Sequence, residues 1–473
     1  MPHTPLTLRV NTRPFARLRR PAGACAAMLA TLLCAAVAAA APRVFPTGTT
    51  IYDPHRAYNS FVMFAGPDGK SHLIDMDGNE VHRWEHFGFP AEVLDPSVTG
   101  GKLGHVLVQL DHDPGAWGGI FKNKTVGELD WSGKVVWEWG KDAPGGAARQ
   151  NHDWHRLPNG NTLLLVTLVH DVPSLSAQPV GDQAIYEVTP AGAIVWKWVA
   201  TDHINEFGFS AAALAYLKRT ISHSVGVSDG VLTLNNMKVV GKNHWFASGD
   251  QRFNPDNILI DARDANFIAI IEKATGKIVW RLGPDYPGAD ESPHTRLLES
   301  KVPRPVDQLS GQHDAHLIAD GLPGAGNLLV FDNQGGAGFP TAALGIFSAS
   351  RVLEIDPIKK EIVWQYTGAD SDRPVWSFHS SFISSARRLA NGNTLIDEGM
   401  NGRFFQITPK GEIVWEYVSP YFARATLRGQ TVYSNWVYRA QPVPYEWTPA
   451  GTPHAEKAVI ELDPATFHVP ANR

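Results

Sequence analysis

Only two cysteines occur in 473 residues, Cys25 and Cys34. Both fall in what reads as a secretory leader, residues 1–40. There Arg9, Arg13, Arg17, Arg19 and Arg20 precede an alanine- and leucine-rich run over 22–41, and 38–40 (AAA) fits a small-residue cleavage site. The competing reading of that run is a retained membrane anchor. Arg19-Arg20 is too little to specify a twin-arginine route. Leu33, where a lipoprotein signal needs a small residue before Cys34, argues against lipidation. The segment after the leader holds no cysteine, which excludes disulfides, thiolate metal sites and cysteine nucleophiles together. Basic surplus is lacking too. The chain carries 42 Lys and Arg against 47 Asp and Glu, and five of the basic residues and none of the acidic ones belong to the leader, so the rest stands 37 against 47, a net of −10. No basic stripe argues for a nucleic-acid partner. No later apolar run is long enough to span a membrane. A P-loop or glycine-rich nucleotide fingerprint is absent, as is a Gly-x-Ser-x-Gly elbow.

What is abundant is tryptophan, 15 residues, and much of it recurs in one phrase. Residues 133–137 read GKVVW, 192–196 GAIVW, 276–280 GKIVW, 360–364 KEIVW and 411–415 GEIVW, with a degenerate first copy at 78–84 (GNEVHRW). The six tryptophans, 84, 137, 196, 280, 364 and 415, are spaced by 53, 59, 84, 84 and 51 residues. Each copy follows a turn and ends a β-rich run. A repeat near 50 residues built from short strands is the mark of a β-propeller blade. The fold expected is all-β, a six-bladed propeller over 41–473, with a β-sandwich or solenoid as the alternative. One four-stranded sheet cannot bury both faces alone, so the blades must close into a ring.

The pass along the chain gives blade two over about 91–140, blade three 148–199, blade five 313–368 and blade six 376–418. Residues 200–250 and 284–310 read as insertions, the first with a short helix over 211–219. Blade four is built from 257–260, 267–271 and 277–282. Blade one shows three strands, 61–64, 72–75 and 80–84, and 458–462 (AVIEL) is the candidate closing strand. The tail from 419, with Tyr421, Tyr433, Trp436, Tyr438 and Trp447, reads as a loop-rich cap. Long insertions on a rigid ring usually shape a site.

Histidines mark the expected innermost strands. His152 and His313 each stand seven residues before a turn residue, Asn159 and Asp320, while His244 and His379 stand 13 and 14 before Asn257 and Asn393. Two registers converging on a central channel place these four side chains near one mouth. Residues three apart on a regular strand point to opposite faces, so only one of His152/His155 and one of His313/His316 is expected to face the channel, and the repeated register favours His152 and His313. Any of these histidines alone has a structural role as its plain alternative. No His-x-His or His-x-x-x-His pair stands among them, so zinc is not expected, and 75–79 (DMDGN) reads as a turn as readily as a calcium loop.

These stretches resemble the bacterial arylsulfate sulfotransferase family. The resemblance lies in 152–164 (HDWHRLPNGNTLL), 275–283 (TGKIVWRLG), 311–317 (GQHDAHL) with 331–333 (FDN), and 386–417. It implies a periplasmic six-bladed propeller that moves a sulfuryl group from an aryl sulfate to a phenol, with no phosphorylated carrier and no cofactor, through a sulfo-histidine. It also implies His313 and His244 as channel histidines and His379, by position in blade six, as nucleophile, with His152 sharing the register of His313. The family arginine that follows an Asp-Asn-Gly stretch is missing: 332–336 reads DNQGG. Arg263 or Arg403 is the candidate replacement. Trp154, Trp245, Phe246 and Phe378 are candidate platforms for a phenyl ring, each with core packing as its alternative, and Asn333 joins them as a candidate substrate contact. The chemistry suits the residues, since a neutral imidazole is nucleophilic near pH 7 and cationic neighbours stabilise sulfuryl oxygens. The rival readings are a non-catalytic envelope propeller that binds or scaffolds, and a quinoprotein dehydrogenase, whose usual eight blades and adjacent cysteine pair are not visible here. The sequence does not specify the oligomeric state.

Overall fold

Every repeat tryptophan reaches into the next blade. The indole N–H of Trp84 donates to the Asp130 carbonyl (3.1 Å), Trp137 to Pro190 (3.1 Å), Trp196 to Lys273 (3.1 Å), Trp280 to Pro357 (2.8 Å), Trp364 to Pro409 (3.3 Å) and Trp415 to Met76 (2.8 Å). The last of these returns to blade one and closes the circle. The tryptophan is thus a hand-over from the outermost strand of one blade to the last turn of its neighbour. That role fixes both its position in each repeat and the Pro/Gly turn that receives it.

The computed structural model describes residues 46–111, 120–221, 230–284, 309–339, 349–427 and 430–461. The expected leader and most of the 284–310 insertion lie outside them. No helix among the described residues is long and apolar enough to cross a membrane. The unit that begins at residue 44 is compact, and its described residues form six antiparallel sheets that are the blades of a propeller, with a separate two-stranded hairpin of Ala423–Leu427 and Gln430–Ser434. Blades two to five are continuous in sequence: Glu92–Trp139, Gln150–Val199, Leu234–Leu282 and His313–Tyr366. Blade six, Ser385–Val418, gains a fifth, outermost strand from Gly48–Tyr52.

Two sequence expectations are corrected. The strand that completes blade one is Tyr438–Val443, paired with Phe61–Ala65, and not 458–462. Val459 makes only a bridge to Tyr52. The alternating run 438–443 lies among the aromatics of the tail, and Pro442 within it marks a position where no ladder donor is needed. Secondly, the innermost strand of blade four, Leu234–Val239, lies inside the stretch read as an insertion. The expected helix is present as Ala211–Thr220, with Ser210 as its N-cap.

The core lies between the blades. Second strands are mostly apolar because both faces are covered, with polar residues such as Asp261, Asp332 and Asp397 toward their ends. In Thr162–His170, Leu163 and Leu165 pack toward blade four while Leu164 and Val166 pack toward blade two. Buried apolar residues form one such cluster at each of the six blade interfaces. A seventh, around Phe87, Phe89, Phe121, Ile383, Trp436 and Tyr438, caps one end of the ring. Removing one of these side chains, as in Leu164→Ala, costs about 2–5 kcal/mol.

Blades two to six are each entered at the innermost strand, and Tyr438–Val443 runs antiparallel to Phe61–Ala65, so all six inner strands run the same way along the axis. The described residues of the connections from outermost strands to the next inner strand, and of those between second and third strands, lie at the end where inner strands begin, as at 85–91, 140–149, 171–179, 200–221, 309–312 and 367–384. We call this the entry mouth. The short Pro/Gly turns gather at the opposite, exit mouth.

Candidate functional site

The entry mouth is built from the first residues of the inner strands. His313 opens the inner strand of blade five and is fully buried. Its Nδ1 lies 2.7 Å from Asn333 Oδ1 and 3.0 Å from the Gly311 carbonyl, both acceptors, so Nδ1 carries the proton. Its Nε2 then accepts the backbone N–H of Ile383 at 3.1 Å. Asn333 also donates from Nδ2 to the Ser380 and Ile383 carbonyls, 2.7 Å each. Together the two side chains clamp the 380–383 loop of blade six onto blade five. Burial, and then the nearby Arg263 guanidinium, hold the His313 imidazole far below its ordinary pKa, so it is neutral.

His152 stands beside this clamp in a left-handed backbone conformation, φ 54°. Its ring is walled by Phe89 (centroids 4.9 Å), Phe121 (5.4 Å) and Tyr438 (6.2 Å). Its buried Nδ1 has no hydrogen-bond partner among the described residues. Burial, followed by the Arg439 charge, pushes its pKa down to about 3. Arg263 serves the same mouth. Its field acts on His313 and, more weakly, on His152. It pairs with Asp264 and donates from Nη2 to the Ser381 carbonyl (3.3 Å), while its Nε has no hydrogen-bond partner among the described residues.

His379 is two residues from that Ser381 carbonyl. Phe378 anchors the loop in the interface of blades five and six. The His379 amide donates to Glu398 Oε1 at 2.7 Å, and Asn401 Nδ2 donates to its carbonyl at 3.0 Å. The ring is partly exposed, with no hydrogen-bond partner on its Nδ1 among the described residues, and burial alone lowers its pKa. Arg403 is engaged elsewhere, paired with Glu398 (2.8 Å) and Glu416 (2.6 Å) and stacked over Phe405. It supports the His379 loop through Glu398 and carries no uncompensated charge toward the mouth.

Arg439 closes the axis beneath these groups. Wholly buried, it donates from Nη1 to Asp153 (3.1 Å) and Asp314 (3.2 Å), and from Nη2 to the Asn235 carbonyl and the Tyr438 hydroxyl, 2.8 Å each. One side chain from blade one thereby ties blades three, four and five. Sequence reasoning missed Tyr438 and Arg439 because it placed the closing strand twenty residues too late. The signal was available: Tyr438-Arg439 occupies the inner-strand register of His152-Asp153 and His313-Asp314.

The structure does not bring His244 to this site. It follows the inner strand of blade four and so lies at the exit mouth, exposed, in the short helix His244–Ala247. There its ring packs against Gly326 in the turn of blade five, and Trp245 donates to the Gly326 carbonyl (2.8 Å). Trp245 and Phe246 are therefore remote from His313. Trp154 is core, its indole donating to the Pro90 carbonyl (2.9 Å), and Phe378 is core as well. Phe89, Phe121 and Tyr438 form the aromatic wall instead. Strict alternation fails too. His152 and Asp314 both have positive φ, and the strands bulge there, so that His313 pairs with Phe331 and His316 with Leu329, two residues apart on the partner. Both members of each histidine pair are thus available to the axis at different depths.

Among solved structures, the chain is similar to a protein of unknown function from Bacteroides caccae (12% identity, 82% of this chain and 99% of that one, TM-score 0.43). It is also similar to a streptogramin B lyase (13%, 74% and 82%, TM-score 0.34) and to the quinohemoprotein alcohol dehydrogenase of Comamonas testosteroni (12%, 82% and 72%, TM-score 0.34). No curated protein matches it. The arylsulfotransferase (ASST) family model matches residues 104–435, which span blades two to six and include His152, Arg263, His313, Asn333 and His379. The chain therefore belongs to the arylsulfotransferase family.

Proposed function

We propose that this propeller moves a sulfuryl group from an aryl sulfate to a phenol at the entry mouth, through a sulfated histidine and without a nucleotide carrier. The observation that carries the reading is the gathering of His313, His152, Arg263 and the His379 loop at one mouth, under the aromatic cap. His379 is assigned as nucleophile. Its imidazole is neutral near pH 7 and its ring is partly exposed, with the Nδ1 that has no hydrogen-bond partner among the described residues on the buried side, so the attacking nitrogen in this reading is Nε2. His313 has both ring nitrogens engaged, and His152, with a pKa of about 3, is too weakly basic to attack well.

In the first half-reaction the His379 nitrogen lone pair attacks sulfur. The bond from sulfur to the aryl oxygen breaks, and the aryl oxide leaves with that electron pair and takes a proton from water. In the second half-reaction the phenol oxygen attacks sulfur, its proton passes to solvent, and the nitrogen–sulfur bond returns its electrons to the ring. Charge on the sulfuryl oxygens is stabilised by Arg263, as cationic groups do for a transferring phosphoryl. His313 and Asn333 act by positioning, because they hold the 380–383 loop that follows His379. Phe89, Phe121 and Tyr438 offer ring faces to the aryl group. The basic, alanine-rich leader implies export, so the reaction belongs in the periplasm or outside the cell.

The test is a donor and acceptor panel. Protein lacking residues 1–40 is given 4-nitrophenyl sulfate with several phenols and no added nucleotide. The reading expects nitrophenol release that rises with phenol and matches aryl sulfate formed. Failure of every pair, with the protein folded, contradicts it.

A further inference from the structure

The exit mouth holds a cavity of about 570 Å³, a volume typical of small-molecule sites. Arg439, with Asp153 and Asp314, blocks the axis between it and His313. Each blade contributes one polar side chain near the end of its inner strand: Gln441, Glu92, His155, Lys238, His316 and Arg387. The charges are segregated. The carboxylates Asp95 and Glu446 come from the turns after the inner strands of blades two and one, while the cations Lys238 and Arg387 come from blades four and six, with Glu92 beside Lys238.

The pairing of these groups is incomplete. Lys238 donates to Asp153 (3.0 Å) and forms a longer ion pair with Glu92 (3.9 Å), whose carboxylate also lies 3.2 Å from His155 Nδ1. Arg387 binds Asp314 through Nη2 (2.6 Å). Its Nη1 approaches His316 Nδ1 (2.9 Å), which also lies 2.7 Å from the Asp314 carbonyl, and one ring nitrogen cannot serve both. On the acidic side, Glu446 has no ion-pair partner among the described residues, and Asp95 holds only the Ser97 amide, as an N-cap. Between the two sides Val93, Val239, Leu317 and Trp447 supply an apolar floor.

From this separation we propose that the exit mouth binds a small zwitterion with an apolar body, an amino acid or dipeptide. Its carboxylate lies toward Lys238 and Arg387 and its ammonium toward Asp95 and Glu446. A simple organic anion would meet the acidic lip unpaired, and a simple amine would leave the cations unused. Charge-assisted pairs at both ends favour a ligand that carries both signs. The inference is independent of the reaction proposed at the entry mouth.

Calorimetry on the mature protein with L-phenylalanine, phenethylamine and 3-phenylpropanoate tests it, since none of the three is a phenol or a sulfate ester. Phenylalanine is expected to bind, with each half-molecule at least tenfold weaker. The doubly substituted Asp95→Asn, Glu446→Gln protein should bind phenylalanine at least tenfold more weakly and 3-phenylpropanoate no more weakly. Asn keeps the cap at 95, and circular dichroism checks the fold. The proposal is overturned if phenylalanine fails to bind, if it binds no tighter than either half, if the double variant binds it like the parent, or if 4-nitrophenyl sulfate displaces it. Calorimetry reads binding alone, so loss of sulfuryl transfer in the panel above leaves its result standing.

Discussion

The backbone N–H of Ile383 donates to Nε2 of His313 across 3.1 Å, and this contact assigns the histidine its role. A ring nitrogen that accepts an amide cannot attack sulfur without releasing it. His313 is therefore a neutral clamp between blades, and pH should report this. Its pKa is held far below the ordinary range, and that of His379 is lowered by burial. Activity should stay flat as pH falls through 6.5 and decline only below it, because the neutral nucleophile persists. An acid limb centred at or above 6.5 would contradict the assignment.

Stability should follow the same residues. His152 and His316 both titrate near 3 in the fold but near 6.5 when unfolded. The unfolded chain thus binds more protons below 6.5. The stability present above 6.5 is lost progressively as pH falls toward 3, by several kcal/mol in all. Urea midpoints measured from pH 7.5 to 4 should fall steadily, and His152→Phe should flatten the slope. An unchanged slope would mean that His152 is not buried neutral.

On the proposed reading, Arg263 takes the place of the arginine missing from 332–336. Arg263→Met should slow release of phenol from the donor by a factor of about 10²–10³, as loss of one oxyanion donor does, with little change in melting temperature. Arg403→Met should behave differently. It strips Glu398 and Glu416 of their partner, destabilises by about 3–5 kcal/mol, and lowers activity only as far as the His379 loop loosens. Equal kinetic losses without destabilisation would reverse the two roles.

Much of this architecture is legible in the sequence because one physical constraint repeats. Each outermost strand must deliver a tryptophan to the next turn, so six copies of one phrase report six blades. The closing strand was harder to read. Tyr438–Val443 pairs with Phe61–Ala65, more than 370 residues earlier, and its only mark in the sequence is the aromatic-then-charged pair Tyr438-Arg439, which is not a strand signal. The site is only partly legible for a related reason. The registers of His152 and His313 are real, but the distances from His244 and His379 to their turns coincide without equivalence. His244 lies after an inner strand and His379 before one. Bulges at His152 and Asp314 further break the alternation on which facing arguments rest. Arg263 was a candidate because the resemblance implies a charge that 332–336 lacks, and it lies at the entry mouth beside His313, whereas Arg439 was overlooked along with its strand.

The closing strand makes a truncation prediction. Ending the chain after residue 449 keeps Tyr438–Val443 and Trp447, whose indole donates to the Leu94 carbonyl (2.8 Å), and should leave a cooperative fold. Ending it after 436 removes the strand and Arg439, exposes the edge of Phe61–Ala65, and leaves Asp153 and Asp314 without that partner. That product should be insoluble or show no cooperative transition. A stable, soluble 436-residue form would mean the ring does not depend on this closure.

Covalent transfer at His379 is tested most directly by mass spectrometry of protein treated with aryl sulfate in the absence of phenol, digested under alkaline conditions because the adduct is acid-labile. The account predicts one added sulfuryl group on the peptide carrying 376–388, lost when phenol is added and absent in His379→Asn. Donor turnover with no adduct, or an adduct on 311–317 instead, would contradict it.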